Sequence, residues 1–191
     1  MATRQTLEIM ALRYGEDFAG QTQAASIGET IRLNGVAVTF QPAGHVLGSA
    51  QILVEHGGIR IVASGDYKRR ADPTCAPFVP ISCDVFITEA TFGLPVFRHP
   101  PASEEVARLL KSVQQFPART HLVGAYALGK AQRVMRLIRD AGYDDTIYIH
   151  GALAKLSDYF ESQGIRLGRL APATIEKGTR DQFAGAIVIG T

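Results

Sequence analysis

The sequence of 191 residues has only two cysteines, no apolar run near the length of a membrane span, and a net charge of only +2. Cys75 and Cys83 form neither a disulfide framework nor a zinc-binding spacing. A transmembrane helix needs about 20 consecutive apolar residues, and no secretory signal is visible. We therefore expect a reduced, cytoplasmic setting without a membrane partner. Bulk charge alone does not indicate a nucleic-acid-binding protein.

What the sequence does contain is a dense run of strand signals between Val36 and Arg70. Three short apolar segments in this run predict strands, at residues 36–40, 51–55 and 59–63. His56-Gly57-Gly58 predicts a hairpin turn, because glycine adopts positive φ without steric cost. The first half of the chain therefore predicts a β-rich sheet built from hairpins.

Two loops of small residues leave these predicted strands, and each carries one candidate metal ligand. His45 lies in the loop over residues 42–49, and Asp66 lies in the loop over residues 64–68. Neutral imidazole and carboxylate groups are ligands that zinc and manganese accept. Taken singly, a histidine or aspartate in such a loop is more often a hydrogen-bonding turn residue. The order of the surrounding motifs therefore decides the interpretation.

The second half of the chain alternates strand and helix signals from residue 103 to residue 189, which predicts a parallel α/β sheet. Ser103 is expected to cap its first helix, and Gly129 is expected to open the second. The break at Gly93-Leu94-Pro95 predicts a division into residues 1–94 and residues 95–191.

Four motifs occur in order along the chain: GHVLGSA at residues 44–50, SGDYK at 64–68, ITEATFG at 87–93 and YALGKAQ at 126–132. In this order they resemble the β-CASP nuclease family of the metallo-β-lactamase superfamily. The resemblance implies an α/β protein with a partial metallo-β-lactamase fold over residues 1–94. Part of a parallel α/β β-CASP domain would follow over residues 95–191.

The resemblance also implies roles for particular residues. His45 and Asp66 would be ligands of a two-metal site, with Asp66 bridging the ions and acting as a catalytic residue. Glu89 would be a catalytic-site carboxylate that orients a metal-binding histidine. The implied cofactors are two divalent metal ions, zinc first and manganese second, which activate water and stabilise charge on phosphate oxygens. The simpler interpretation of Glu89 is an acid that caps the end of a strand.

The chain has too few histidines in suitable positions to complete such a site. Its five histidines are His45, His56, His99, His121 and His150. The family takes most of its ligands from a His-x-His-x-Asp-His turn, and no two of these histidines have that spacing. We therefore expect an incomplete metal site, a central fragment of a longer protein, and no nuclease activity from the fragment alone.

Three basic residues are candidates for contact with nucleic acid, namely Lys68, Arg69 and Lys130. Lys68 and Arg69 follow a predicted strand, and Lys130 stands at a predicted helix start. For each of them, a solvated surface position is the more common explanation.

The first functional hypothesis is a fragment of a metal-dependent phosphodiesterase that acts as a DNA exonuclease. Residues 65–78 resemble the bacterial ligase-associated DNA exonucleases, which implies a role in DNA repair and an association with an ATP-dependent DNA ligase and a helicase. Two alternatives remain open. One is a β-CASP nuclease that processes RNA, and the other is a fragment that binds nucleic acid without catalysis.

Overall fold

A computed structural model describes residues 1–174 and 181–191 of the chain. The chain forms two compact units, Met1–Phe97 and Arg98–Thr191. The domain boundary that the sequence predicts, after Leu94, stays a prediction about the domains of the whole protein. Within the described part of the chain, no helix combines the length and the apolar character that crossing a membrane requires.

The first unit, all of whose residues are described, is built on a five-stranded sheet in the order β3-β4-β5-β6-β7. Its elements are β1 (Ala2–Thr3), α1 (Arg4–Tyr14), β2 (Ala24–Ala25), β3 (Thr30–Leu33), β4 (Val36–Pro42), β5 (Ala50–His56), β6 (Ile59–Ala63) and β7 (Val85–Ile87). The strands from β3 to β6 pair antiparallel, and β7 pairs parallel with β6. The prediction of a β-rich first half is confirmed.

Two glycine turns set the register of this sheet. Asn34 and Gly35 have φ of 49° and 85° and join β3 to β4. Gly57 and Gly58 have φ of 56° and 80° and join β5 to β6. Two successive residues with positive φ match the twist of the flanking strands, as the sequence predicted for the second turn. The registers follow, with Leu33 opposite Val36 and His56 opposite Ile59.

The inward face of the sheet follows the two-residue period of a strand. Phe40, Leu53 and Val62 are buried on three adjacent strands. Helix α1 is capped by Thr3, whose Oγ1 accepts a hydrogen bond from the backbone N–H of Thr6 at 3.2 Å, and the helix ends before Gly15. The first turn of α1 is thereby fixed beside the sheet.

Strand β7 differs from its prediction. The apolar run around Val85–Ile87 predicts a buried strand, yet all three of its residues are exposed. The reason is its place at the edge of the sheet, where it pairs with β6 on one side only. A continuous apolar run indicates a strand, but it does not by itself show what covers the strand.

The second unit contains, among its described residues, a four-stranded sheet in the order β10-β9-β11-β8. Its elements are α2 (Ala102–Gln115), β8 (His121–Gly124), α3 (Lys130–Asp140), β9 (Ile147–Ile149), a short 3-10 turn (Gly151–Leu153), α4 (Ala154–Ser162), β10 (Leu170–Pro172) and β11 (Ile187–Gly190). Every strand pair is parallel. The predicted parallel α/β sheet is confirmed.

Helix α2 begins differently from its prediction. Pro101 occupies the N-cap position and makes no side-chain cap hydrogen bond, while Ser103 lies inside the first turn. Glu104 and Glu105 are in that turn, where negative charge interacts favourably with the helix dipole. Helix α3 does begin after Gly129, as predicted, and buries Met135 and Ile138. Strand β10 was not predicted.

Arg139 on α3 holds neighbouring loops through its side chain. Its guanidinium donates hydrogen bonds to four backbone carbonyls, those of Leu167 (2.8 Å), Tyr143 (2.6 Å), Asp145 (2.6 Å) and Arg169 (2.8 Å). Partial burial lowers the pKa of Arg139 from its usual high value. The Arg139 side chain therefore holds together the loops that precede β9 and β10.

Candidate metal centre

The loop that carries His45 joins β4 to β5 and is closed by its own hydrogen bonds. The Ser49 hydroxyl oxygen accepts from the backbone N–H of His45 at 3.0 Å and from that of Val46 at 3.1 Å. The Ser49 N–H donates to the Val46 carbonyl at 3.0 Å, and the Ala43 N–H donates to the Ser49 carbonyl at 3.2 Å. The backbone position of His45 is therefore fixed within the loop.

Two glycines allow this loop to pass close to its neighbours. Gly44 has φ of +70°, and a Cβ there would lie 2.5 Å from the Lys68 carbonyl oxygen and 2.8 Å from the Phe78 nitrogen. Gly48 has φ of +80°, and a Cβ there would lie 2.6 Å from Gln5 Cβ. Any side chain at either position would meet both a strained backbone and a collision. The loop is packed between the start of α1 and the segment that follows Asp66.

Helix α1 contacts the loop through its cap. The Thr3 hydroxyl donates to the Gly48 carbonyl at 2.6 Å, and the Thr6 hydroxyl donates to the same oxygen at 3.1 Å. Thr3 is buried. The residue that begins the helix thus also fixes one side of the His45 loop.

The other side of the loop is held by Lys68 and a buried carboxylate. The Lys68 N–H donates to the Ala43 carbonyl at 3.0 Å, and its ammonium lies 3.4 Å from the His45 carbonyl oxygen. The same ammonium pairs with Asp72, whose side chain is 2% exposed. Asp72 also accepts from the Thr74 N–H at 2.9 Å and from the Thr74 hydroxyl at 2.6 Å. The Lys68 ammonium is therefore engaged in holding the fold, and its role as a contact for nucleic acid stays a prediction.

Gln51 completes the support beneath the loop. It is fully buried, and its amide donates to the carbonyls of Pro42 at 3.0 Å and Val79 at 2.8 Å. Sequence reasoning missed this residue and the Asp72 cluster. The signal for Gln51 was present: it shares the inward face of β5 with Leu53, where a buried amide needs a specific partner.

The structure brings His45 and Asp66 together. The loop after β4 and the end of β6 lie at the same end of the sheet, because β5 runs antiparallel to both strands. His45 Nε2 lies 3.7 Å from Asp66 Oδ2, and the two side chains are 42% and 72% exposed. The pair is open to solvent at the end of a rigid sheet, as a metal or a substrate would require.

This separation fits two ligands of one ion. Ligand atoms about 2.1 Å from a tetrahedral ion are roughly 3.4 Å apart, close to the observed 3.7 Å. However, the described residues contain no group of three or more histidine, cysteine, aspartate or glutamate side chains placed to hold a metal ion. His45 and Asp66 therefore fit as part of a metal site and do not form a complete one.

Glu89 lies in the turn after β7 and is half-buried. Its carboxylate accepts from the Thr91 N–H at 2.7 Å, as an acid at the end of a strand would do. That hydrogen bond is the largest cause lowering the pKa of Glu89, and the charge of His45 and the backbone N–H of Tyr67 also lower its pKa. His45 and Tyr67 belong to the loops that carry His45 and Asp66, so Glu89 lies near both loops. A hydrogen bond to Thr91 at the end of a strand and a position beside the metal site are therefore compatible for Glu89.

The two remaining basic candidates lie in different units. Arg69 is exposed beside Lys68 in the first unit. Lys130 is exposed at the start of α3 in the second unit, with Nζ 4.6 Å from the centre of the Tyr126 ring. Both side chains are available to an anion, and their role in binding nucleic acid stays a prediction.

Comparison with known proteins gives relatives for most of the chain. It is 37% identical over 136 residues to the endoribonuclease ysh1 of Emericella nidulans, covering 69% of this chain and 15% of that protein. It is 34% identical over 137 residues to cleavage and polyadenylation specificity factor subunit 3 of Dictyostelium discoideum, covering 66% and 17%. It is 34% identical over 113 residues to the endoribonuclease YSH1 of Saccharomyces cerevisiae, covering 57% and 14%. No family model matches the chain.

A solved structure supports the fold alone. The crystal structure of a protein of unknown function from Enterococcus faecalis V583 matches with a TM-score of 0.56 at 14% identity, over 98% of this chain and 51% of that chain. The mixed α/β sheets and helices are consistent with a partial metallo-β-lactamase fold. With the relatives above, the chain belongs to the β-CASP family of the metallo-β-lactamase superfamily. The chain spans about 15% of the length of the first curated relative it matches.

The first prediction concerns Lys68. We expect Lys68→Met to reduce the free energy of unfolding by about 2–3 kcal/mol, because it removes the ammonium that pairs with the buried Asp72 carboxylate. This loss of free energy of unfolding is smaller than the loss expected on breaking a fully buried ion pair, since the Lys68 side chain is 25% exposed. Denaturant unfolding of this variant and of the exposed control Arg69→Met measures the difference.

A double variant tests the cause. Adding Asp72→Asn to Lys68→Met removes the buried charge and should recover part of the lost stability, giving a measurable coupling between the two positions. Strictly additive effects, or a Lys68→Met protein as stable as the Arg69→Met control, would show that the pair does not support the loop.

The second prediction concerns the Glu89 carboxyl. Its pKa is lower in the folded chain than in the unfolded chain. The resulting stabilisation is therefore present above the unfolded pKa of about 4.3, and it is lost as the pH falls through the folded pKa. Titration of the Glu89 carboxyl carbon by NMR should give a midpoint below the ordinary glutamate value. A midpoint at or above that value contradicts the geometry described.

Proposed function

We propose that this chain forms part of the active site of a metal-dependent nuclease that processes RNA. The observation that carries the proposal is the pair His45 and Asp66, 3.7 Å apart on two loops at one end of the sheet. Membership of the β-CASP family supports the reaction class, since two of the three relatives named above are called endoribonucleases.

In this proposal the residues of the chain have distinct tasks. The His45 imidazole and the Asp66 carboxylate hold a divalent metal, and Glu89, next to their loops, fixes the local charge and orientation. The hydrogen bonds of Ser49, Thr3 and Lys68 keep the His45 backbone in place, so the site needs little rearrangement to bind a divalent metal ion. A bound divalent ion would polarise the phosphodiester and provide a nucleophilic water at neutral pH.

RNA is the preferred substrate class in this proposal. The relatives support the RNA-processing alternative better than the DNA exonuclease that was the first hypothesis. They give no support to an association with a DNA ligase or a helicase. The resemblance of residues 65–78 to DNA exonucleases therefore stands alone, and matched DNA and RNA substrates separate the two options.

One observation favours a second candidate, a chain that binds nucleic acid without cleaving it. The described residues supply two well-placed ligands, whereas a catalytic zinc site normally uses three protein ligands and one open position. Such a chain would still bind nucleic acid through its exposed basic residues. Catalysis would then depend on ligands from outside the described residues.

The third prediction concerns metal and activity. We expect the 191-residue chain to bind no stoichiometric zinc or manganese at micromolar concentration and to cleave no RNA, because two ligands on separate loops bind weakly. In the complete gene product we expect metal binding and RNA cleavage, with Asp66→Ala and His45→Ala each reducing cleavage by at least roughly a hundredfold. Isothermal titration and cleavage of matched RNA and DNA strands measure both halves.

His56→Ala is the matched control, since His56 is an exposed histidine at the end of β5. It should leave metal content and cleavage unchanged. Full activity of the Asp66→Ala gene product would contradict the proposed function. Tight binding of one metal ion by the 191-residue chain, lost in His45→Ala, would show instead that the chain holds a more complete site than its described ligands form.

A further inference from the structure

The turn between β3 and β4 contains Asn34, which is the only asparagine in the 191 residues and is followed by glycine. Asn34 is also the one described residue other than glycine with a positive φ, at 49°. Asparagine adopts this left-handed conformation more readily than most residues, which explains its place in the turn. The same turn brings together the two groups of a chemical modification, a side-chain amide and the backbone nitrogen that follows it.

The Gly35 backbone nitrogen is accessible to solvent. Asn34 and Gly35 are both exposed, and a Cβ on Gly35 would meet no atom within 4 Å. In the described part of the chain, no hydrogen bond engages the Gly35 N–H. Glycine also has no side chain that would shield its own nitrogen. The nitrogen next to the Asn34 amide is therefore free to react.

The chain has one comparable pair, Gln163-Gly164, and it lacks these features. The Gly164 N–H donates to the Glu161 carbonyl at 2.9 Å, just after the end of α4. Glutamine has one more methylene than asparagine, so its amide carbon must close a larger ring to reach the next nitrogen. The sequence contains no Asp-Gly pair. The conditions for reaction therefore coincide at Asn34.

Strand β3 allows the turn to move towards a reactive geometry. It is four residues long, three of which are exposed, and it lies at the edge of the sheet with β4 as its neighbour. Short, exposed elements of this kind open locally at a low free-energy cost. Local opening lets the Asn34 side-chain carbonyl carbon approach the Gly35 nitrogen while the rest of the sheet stays folded.

We propose that Asn34 is a site of deamidation and isoaspartate formation. The Gly35 nitrogen attacks the side-chain carbonyl carbon of Asn34 and forms a C–N bond, while the bond from that carbon to Nδ2 breaks. Ammonia leaves with the proton that Gly35 loses, and a cyclic imide remains. Water then adds its hydroxyl to one imide carbonyl and returns a proton to the Gly35 nitrogen. Opening at the side-chain carbonyl gives aspartate, and opening at the main-chain carbonyl gives isoaspartate.

Isoaspartate changes the turn in two ways. It lengthens the main chain by a methylene group, and it adds a carboxylate to a chain whose net charge is +2. The register of a two-residue hairpin depends on the length of its turn, so the pairing of Leu33 with Val36 no longer fits. Strand β3 then detaches and loses the 2.8 Å hydrogen bond between the Thr30 and Thr39 hydroxyls.

Detachment of β3 uncovers the outer edge of β4. An unpaired strand edge is a template for pairing with another chain. Strand β4 contains the buried Phe40, and the loop that carries His45 follows its last residue, Pro42. The modification therefore converts a protected sheet edge into a surface on which copies of the aged chain associate.

The experiment follows the folded 191-residue chain over time at neutral and at mildly alkaline pH. Intact mass spectrometry detects the shift from amide to acid, and a protein isoaspartate methyltransferase with a labelled methyl donor detects isoaspartate. We expect both signals to grow with time, and to grow faster at the higher pH because base removes the Gly35 proton. Tryptic cleavage after Arg32 and Arg60 isolates Asn34 in one peptide.

Asn34→Gly is the matched control, because a Gly-Gly pair keeps the turn and has no side-chain amide. It should give neither signal. An unstructured peptide of residues 30–39 provides the reference rate. We expect the half-time of the folded chain to lie within roughly tenfold of the half-time of the peptide, since fraying at an exposed edge costs little free energy. In the aged chain, hydrogen exchange should become faster in β3 and stay unchanged in β6.

Three results would overturn the inference. The first is a folded chain that keeps its amide while the peptide converts completely, since the native turn would then protect Asn34. The second is equal conversion of the Asn34→Gly chain, which would place the reaction at a glutamine. The third is an isoaspartate-containing chain whose β3 amides exchange as slowly as before. None of these measurements involves metal binding or cleavage, so the proposed function stands or falls separately.

Discussion

The loop that carries His45 is held on every side by hydrogen bonds to its backbone, and the geometry of the candidate site depends on this restraint. Ser49 closes the loop from within, Thr3 and Thr6 hold Gly48, and Lys68 holds Ala43 and His45. A loop of glycine and alanine would otherwise sample many conformations. These hydrogen bonds order the loop without a ligand. As a consequence, His45 Nε2 lies 3.7 Å from Asp66 Oδ2.

The ion pair of Lys68 with the buried Asp72 contributes to holding this loop in the first unit. Burying Asp72 and Lys68 is costly unless the geometry is good and further hydrogen bonds are made. Asp72 has those hydrogen bonds from Thr74, and Lys68 reaches the loop backbone. The second unit uses Arg139 and Gln132 in the same way, since their side chains satisfy backbone groups of loops at opposite ends of α3. In both units, polar side chains inside the protein fix the loops on which exposed residues stand.

Sequence patterns predicted the parts of the structure that depend on local chemistry. The turn at Gly57-Gly58 follows from glycine at positive φ, and the strands β4, β5 and β6 follow from short apolar segments. His45, Asp66 and Glu89 were selected as candidates because they occur in short motifs of fixed order, and their roles stay predictions. The proximity of His45 and Asp66 was also predictable, since strands that alternate in direction return to the same end of the sheet.

Features that depend on distant contacts were not predictable in this way. Lys68 read as a surface cation, because its partner Asp72 gives no signal of burial in the sequence. The exposure of β7 depends on what covers a sheet edge, which a three-residue apolar run does not specify. Strand β10 is short and ends in Pro172, so neither length nor alternation marks it. The hydrogen bonds of Arg139 go to backbone carbonyls of residues 143, 145, 167 and 169, and no local pattern indicates these partners.

Native-state hydrogen exchange of the His45 loop tests most directly whether the site is ordered before a ligand binds. The amides of Ala43, His45 and Val46 all donate to acceptors inside the loop. They should therefore exchange as slowly as the paired amides of β4 and β5 in the metal-free chain. The turn amides of Gly57 and Gly58 provide the fast reference. If His45 and Val46 exchange as fast as that turn, the loop is not held in place, and the proposed preorganised metal site is wrong.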